Sequence, residues 1–577
     1  MISATALDPE QRARNLDRLA SEHFDVLVVG AGVNGSGAAL DAVTRGLKVG
    51  LVEARDFAAG TSSRSSKLFH GGLRYLEQFD FHLVFEALKE RKLALEKLCP
   101  HLAKPVRFLY PLRKPGIDRA YAGLGIGVYD VMGAGRGVPS RLRHLGRKKT
   151  LAAFPSGDRD ALYGSITFYE GQVDDARHTM MIARTAANYG AVVASSARVT
   201  GFIRQNDRVT GVHLRDLESG RELDVSADVV INACGVWIDE IQTMVGGKGA
   251  FRVRASKGIH LIVPRNRINS SLGLITRTEK SLLFIIPWGQ GSAGSGGFWL
   301  IGTTDTDWNL DLAHPAASEA DIDYLLGHAN ALLSDKLSRD DVVGVYAGLR
   351  PLLAGESDST SKLSREHAVA SPVRGLVVVA GGKYTTYRIM AADAVDAAVH
   401  GLNKTVPPSC TEDVLLLGAD GYHGLWNTRG QLAESLGLPL GQVERLLGRY
   451  GSLIGELGTL IAERPELAEP LEAAPEYLKV EALYAATHEG ALHLDDILAR
   501  RTRISIETWD RGVGVAPEVA ELVAPVLGWD AAAIEREVDH YRARVAAERE
   551  SQHQPDDLSA DAARLGAPDV RMGRSGG

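Results

Sequence analysis

The stretch Asp25-Val-Leu-Val-Val-Gly30-Ala-Gly32-Val-Asn-Gly35 decides the fold class. A short β-branched run reads as a buried strand. Three glycines follow at GxGxxG spacing, and residues 35–45 continue as a helix rich in small side chains. Residues 47–53 form a second apolar run, ending at Glu53, 18 residues after Gly35. This is a βαβ unit with a dinucleotide-binding turn. Gly30 permits the tight turn, Gly32 lets backbone approach a pyrophosphate, and Gly35 lets the helix pack on the strand. The helix N-terminus offers amide donors to phosphate. The Glu53 carboxylate can accept from ribose hydroxyls.

Outward from this unit, residues 1–22 read as a polar lead-in with at most one helix. Residues 81–98 and 174–189 carry helical spacing, the second with Asp174 or Asp175 as N-cap and Gly190 as its stop. Residues 191–225 read as a strand and a three-stranded meander, and residues 228–235 as a buried strand ending in Cys234-Gly235. Several strands follow in 250–310, and another runs from 375 into Gly381-Gly382. Beyond 402 the pattern is helical to about 550, and 551–577 reads as a disordered polar tail. The expected class is α/β and α+β. A Rossmann-like FAD-binding domain is assembled from 23–105, 172–250 and 345–401. A mixed-sheet substrate domain comes from 106–171 and 251–344, and an all-helical C-terminal domain from 402–550.

The chain has 577 residues, a prior of three or four domains. Its 65 Lys and Arg stand against 72 Asp and Glu, a net charge of −7. That balance argues against a nucleic-acid binder, which needs a basic face. Three cysteines in so long a chain do not make a disulfide framework. No apolar run reaches the roughly 18 residues of a spanning helix, and the N-terminus shows no secretory h-region. A cytoplasmic protein is expected, with no metal site.

Two glycine-ended strands return late, at Asn232-Ala-Cys234-Gly235 and Ala380-Gly-Gly-Lys383. A long FAD is held by turns gathered from distant segments. No second Rossmann unit for a nicotinamide is evident. FAD is therefore the expected cofactor, with Gly381 and Gly382 near the flavin ring, where reduction develops negative charge.

The segment Gly60-Thr-Ser-Ser-Arg-Ser-Ser-Lys-Leu-Phe-His-Gly-Gly-Leu-Arg-Tyr-Leu-Glu77 is more specific. With Val173-Asp-Asp-Ala-Arg177, Ile286-Pro-Trp288, Gly302-Thr-Thr-Asp305, Gly348-Leu-Arg-Pro351 and Gly381-Gly-Lys-Tyr-Thr-Thr-Tyr-Arg388, it closely resembles the FAD-dependent glycerol-3-phosphate dehydrogenases. Order and spacing match from about residue 24 to 400, and the helical remainder resembles that family's C-terminal domain. Two features depart from the pattern: Cys234, where the family often has Thr, and the Gly/Ser loop 289–297. No calcium loop of EF-hand spacing follows residue 402.

The resemblance implies oxidation of sn-glycerol 3-phosphate to dihydroxyacetone phosphate, with electrons passed to a quinone. An amine or amino-acid oxidase on the same scaffold is the alternative. Arg74, Arg350 and Arg365, with Tyr75, Lys383 and Thr386, are the implied phosphate pocket, since a guanidinium pairs bidentately with phosphate. His260, in Ser256-Lys-Gly-Ile-His260, is the first candidate base, while Lys383, Arg350 or His70 could polarise the hydroxyl. Thr61, Ser62, Ser65, Ser66, Lys67, Leu68, His70 and Thr385 are expected along the flavin. The apolar run 121–132 beside Arg136, Arg141, Arg143, His144, Arg147, Lys148 and Lys149 suits an anionic membrane surface. The protein is accordingly expected on the cytoplasmic face of the cell membrane. A homodimer through the C-terminal helices stays open.

Overall fold

The computed structural model describes residues 5–71, 81–112, 143–246, 251–279, 281–289, 296–354 and 366–571. Two sheets organise the first 400 residues. In the first, the strands His23–Val29, Val49–Val52, Val192–Ala194 and Leu376–Gly381 run parallel with the end of Glu222–Asn232. Their near-continuous Val, Ile and Leu runs follow from burial on both faces. The helices Val33–Thr44, Asp175–Asn188 and Tyr387–Val399 cover one face. The meander covers the other.

The third meander strand and the buried strand at 228–232 are one continuous element, Glu222–Asn232. Its first half pairs antiparallel with Arg208–Asp216 and its second half parallel with His23–Val29, so no break is needed between them.

The second sheet is mixed and holds ten strands among the described residues. At its heart Val253–Pro264 pairs with Gly344–Leu353 along ten positions and with Phe298–Gly302 on its other side. The strand Gly344–Leu353 therefore belongs with this sheet, although its sequence position places it in the FAD-binding segments. The short strand Leu68–Phe69 joins the same sheet through Gly164–Val173. Leu68 is buried in the core of this sheet and Phe69 in the core beside the first.

Past residue 402 the chain is helical, with one small hairpin, Pro470–Leu471 and Ala474–Leu478. The polar end is not a disordered tail as far as residue 571. Asp556 caps the helix Asp557–Arg564 by accepting from Ser559 N at 2.9 Å. Arg571 is 3% exposed and donates to Asp496 at 2.8 Å and to Ser196 at 3.0 Å. Polar composition concealed an end anchored by buried ion pairs rather than by an apolar face.

Histidines tie stability to pH. Burial holds His101 and His178 down to about 3, so both are neutral inside the fold. Burial and the Arg571 charge also oppose protonation of His493. Hydrogen bonds that His493 donates to Glu218 and Glu537 outweigh them and lift it to about 9. His493 thus contributes stability that is complete below 6.5, its ordinary value, and is lost as pH rises through about 9. Below 6.5 the unfolded chain protonates His101 and His178 while the native one does not, so stability falls again. Thermal unfolding of the full chain should show its highest Tm near pH 6.5 and a decline on both sides. A Tm flat across that range would contradict both assignments.

Candidate functional site

The glycine turn is built for close approach. Gly30 has φ +98°, and a Cβ there would lie 3.0 Å from the Ala233 carbonyl oxygen. A Cβ on Gly35 would lie 1.8 Å from the Gly30 oxygen, so no side chain fits between helix and turn. Gly32 is the helix N-cap, in extended backbone. Ser62 Oγ accepts from Val33 N at 2.9 Å, bringing the 61–63 turn against the helix start. Glu53 accepts from Ala31 N at 2.7 Å and from Arg55 N at 2.8 Å. Burial raises its pKa in spite of both bonds. It stands over the turn, with lone pairs beyond those two bonds for ribose hydroxyls.

The second turn is held to the first. Cys234 Sγ donates to the Val29 oxygen at 3.4 Å, and burial pushes the thiol pKa far up. Gly235, at φ +59°, faces open space. In the third turn, Gly381 and Gly382 have φ +74° and +78°. A Cβ on Gly381 would lie 2.7 Å from the Glu366 oxygen.

This third turn opens onto a cavity of about 240 Å³. Two facing strands form one wall. The register pairs Ser256 with Arg350, Gly258 with Gly348 and His260 with Tyr346. Alternation puts all six on one face. The glycine pair leaves a gap, and the Arg350 guanidinium lies across it: a Cβ on Gly258 would be 2.4 Å from Arg350 Nη2. Arg350 Nη2 also donates to Thr303 Oγ1 at 2.9 Å and to the Thr304 oxygen at 3.0 Å, while its Nη1 lies 3.7 Å from Asp305. The opposite wall is Ser65, Ser66, Leu68 and His70, and Lys383 and Thr385 close the third side.

His260 is 2% exposed and stacks on Tyr346 at 4.8 Å and 11°. Its Nε2 lies 2.9 Å from Ser66 Oγ, and its Nδ1 makes no hydrogen bond. Burial, then the charges of Arg350 and Lys67, hold its pKa well below the ordinary value. The ring is therefore neutral and able to take up a proton. His70 Nδ1 lies 3.1 Å from Glu170 Oε1, and the His70 oxygen accepts from Thr385 Oγ1 at 3.1 Å.

Two expected site residues point elsewhere. Lys67 does not reach the cavity; it is fully buried beneath the loop, donating to Asp175 at 2.6 Å and to the Ser63 oxygen at 3.1 Å. Its backbone, at φ +56°, turns the side chain inward. Thr386 stands at the N-cap position of Tyr387–Val399, its hydroxyl 3.4 Å from the Lys383 oxygen and off the cavity wall. Thr61 donates to the Leu349 oxygen at 2.6 Å, joining the flavin-side loop to the substrate sheet. Arg74, Tyr75 and Arg365 lie outside the described residues. Sequence reasoning missed Tyr346, and it gave Asp175 a place in the Val173–Arg177 motif and a possible capping role but no part in holding the site. The Asp174-Asp175 pair at a helix start was the available signal.

Residues 25–392 match the family model of FAD dependent oxidoreductases, and residues 409–534 that of the C-terminal domain of alpha-glycerophosphate oxidase. The chain is 60% identical over 568 residues to glycerol-3-phosphate dehydrogenase 2 of Mycobacterium tuberculosis, covering 98% of this chain and 96% of that one. The chain belongs to the FAD-dependent glycerol-3-phosphate dehydrogenase family. It is 35% identical over 544 residues to the human mitochondrial glycerol-3-phosphate dehydrogenase, covering 90% of this chain and 73% of that one. A solved structure of the glycerol-3-phosphate dehydrogenase from Bacillus halodurans, complexed with FAD, superposes with a TM-score of 0.77 at 28% identity. That match covers 93% of this chain and 98% of the other.

The three glycine turns fit the family's FAD, since they leave backbone bare where a pyrophosphate and a ring must approach it. Gly32→Val isolates this point. Its Cβ lands 3.2 Å from Ser62 Oγ, a contact the hydroxyl can relieve by rotating, so the chain should still fold. The branched side chain should block the pyrophosphate. Circular dichroism of the variant should match the parent while flavin absorbance per chain falls to background.

Proposed function

We propose that the protein oxidises sn-glycerol 3-phosphate to dihydroxyacetone phosphate and passes the electrons to a membrane quinone. The observation that carries this reading is a single cavity holding a neutral histidine beside an arginine and a lysine, at the third glycine turn. Bound FAD supplies the two-electron acceptor for hydride from C2. Arg350 and Lys383 bind the phosphate, and the Thr303 and Thr304 bonds orient the guanidinium. His260, whose Nε2 lies 2.9 Å from Ser66 Oγ on the cavity lining, takes the C2 hydroxyl proton. The Arg350 charge, more than that of Lys67, adds to burial in holding His260 down. An arriving dianion offsets that charge, so substrate binding itself raises the proton affinity of the base.

Anaerobic addition of glycerol 3-phosphate should bleach the flavin. Bleaching by amino acids, and not by glycerol 3-phosphate, would mark an oxidase instead. Arg350→Ala should lose about 2–5 kcal/mol of substrate binding, read as a rise in KM, because it removes a charge-assisted pair in a desolvated site. Unphosphorylated glycerol should be nearly indifferent to the change. Equal losses for both would show that Arg350 supports the fold rather than the phosphate.

The family resemblance and a basic face support the quinone step. Arg143, His144, Arg147, Lys148 and Lys149 are all exposed, on the strand Arg143–Gly146 and the helix Arg147–Ala153. The neighbouring apolar run 121–132, Arg136 and Arg141 lie outside the described residues. No helix among the described residues is long and apolar enough to cross a membrane. The protein meets the bilayer from its cytoplasmic face through these cations. Each is worth about 1 kcal/mol near an anionic surface, screened by salt. Replacing Arg143, Arg147, Lys148 and Lys149 with Gln should weaken binding to anionic vesicles by several kcal/mol at low salt. Activity with a soluble dye should survive while activity with lipid-embedded quinone falls. Unchanged sedimentation with vesicles would place the contact elsewhere.

A further inference from the structure

His260 presents almost nothing to the cavity it serves. The flanking strands set Gly302 beside it on one side and Tyr346 on the other. The ring leans over Gly302, where a Cβ would lie 2.7 Å from its Nε2, and it stacks on Tyr346. Nδ1 is buried and makes no hydrogen bond, so it offers a proton no route in or out. Nε2 is left, and Ser66 Oγ stands 2.9 Å in front of it.

Ser66 differs from its neighbour in what it has left to give. Ser65 Oγ donates to Asp175 at 2.7 Å and accepts from Lys67 N at 3.0 Å, so its hydrogen is committed to holding the loop. Ser66 is half-buried on the cavity wall, and among the described residues its hydroxyl has one hydrogen-bond partner, His260 Nε2. A hydroxyl carries one hydrogen and two lone pairs. With the hydrogen on Nε2, the lone pairs remain for a donor in the cavity. The pair is also held at both ends by one residue. Tyr346, whose ring stacks on His260, donates through its hydroxyl to the Ser65 oxygen at 2.8 Å. The ring that fixes the base therefore fixes the backbone next to Ser66.

We propose that Ser66 is a catalytic proton relay: its hydroxyl takes the C2 hydroxyl proton of the substrate and passes its own proton to His260 Nε2. The inference rests on the reading above, in which His260 is the base. The C2 hydrogen leaves as hydride with the C–H pair, reducing FAD by two electrons. The substrate O–H bond breaks, and its pair closes the carbonyl. That proton bonds to Ser66 Oγ, the former Ser66 O–H bond breaks, and its proton bonds to Nε2. Ser66 ends unchanged and His260 ends as imidazolium. A base acts as well through one intervening oxygen as it does through one water. Because Nδ1 has no partner, the proton also departs by way of Ser66 once product has left.

The test is anaerobic stopped-flow reduction of the FAD-loaded full chain by saturating glycerol 3-phosphate, with FAD content and dihydroxyacetone phosphate affinity measured beside it. Ser66→Ala should match the parent in both binding measurements and reduce its flavin about a hundredfold more slowly. Ser66→Thr keeps the hydroxyl and should stay within about tenfold of the parent, whereas its isostere Ser66→Val should fall with the alanine variant. Groups that act as a unit are lost only once. His260→Phe keeps a planar ring on Tyr346, and adding Ser66→Ala to it should cost nothing further. Additive losses would overturn the relay. So would equal rates for the threonine and valine variants, or a loss of product affinity as large as the loss of rate. A slow His260→Phe beside an unaffected Ser66→Ala would overturn the relay and leave the base standing, whereas His260→Phe at full rate would remove the base itself. The threonine–valine comparison leaves His260 untouched, so the test stands if the phenylalanine variant fails to fold.

Discussion

Asp175 is the constraint on which the rest of the site depends. Its carboxylate is fully buried at the start of the helix Asp175–Asn188. It accepts from Ser65 N at 2.9 Å, Ser65 Oγ at 2.7 Å, Lys67 at 2.6 Å and Arg503 at 2.6 Å. One anion thus fixes the flavin-side loop at two residues and joins it to the C-terminal region. Ser66, between those two residues, meets His260 across the cavity. A buried charge with several donors adds little net stability, but losing one partner is costly, about 3–5 kcal/mol, because the remaining charge stays desolvated. Such a cluster specifies geometry more than it adds stability.

The chemistry sits on strands for a related reason. Ser256 and His260 are four positions apart on the strand, so the proposed phosphate-reading and proton-accepting ends lie about 13 Å apart along it at Cα level. Side chains leaning over the Gly258–Gly348 gap shorten that span. Arg350 leans from one end, and His260, pinned by Tyr346, defines the other. A residue larger than glycine at 258 would collide with the guanidinium. The substrate groove is thus made by what two paired strands lack at one register position.

Legibility in the sequence followed the range of the interactions. The glycine turn, its helix and Glu53 were readable because spacing within 30 residues determines them. The family motifs pointed to Arg350, Lys383 and His260, and the structure brings these around one cavity. The inward turn of Lys67 was not readable, since it depends on a left-handed backbone and a partner 108 residues away. The continuity of Glu222–Asn232 was hidden because its two halves answer to different neighbours. The ordered end at 551–571 was hidden because polar residues there find partners as distant as Ser196 and Asp496.

Those distant partners also explain how the C-terminal region docks. Arg501 donates to Asp56 through both terminal nitrogens, at 2.8 and 2.6 Å. Arg500 reaches the same carboxylate, and Arg503 reaches Asp174 and Asp175. Asp56 lies just beyond the strand Val49–Val52, and Asp174 caps the helix behind the flavin-side loop. Three arginines within four positions therefore bind both sides of the cofactor cradle at once. Their carboxylates are buried with them, so neither surface can be exposed to the interior alone without stranding charge. The ion pairs thus tie the helical region both to the cradle and to the Asp175 carboxylate that holds the loop bearing Ser65 and Ser66. An acidic chain with arginines at its centre is the expected outcome: each cation that reads a phosphate, or locks the loop that presents one, needs carboxylates around it to enter a low dielectric.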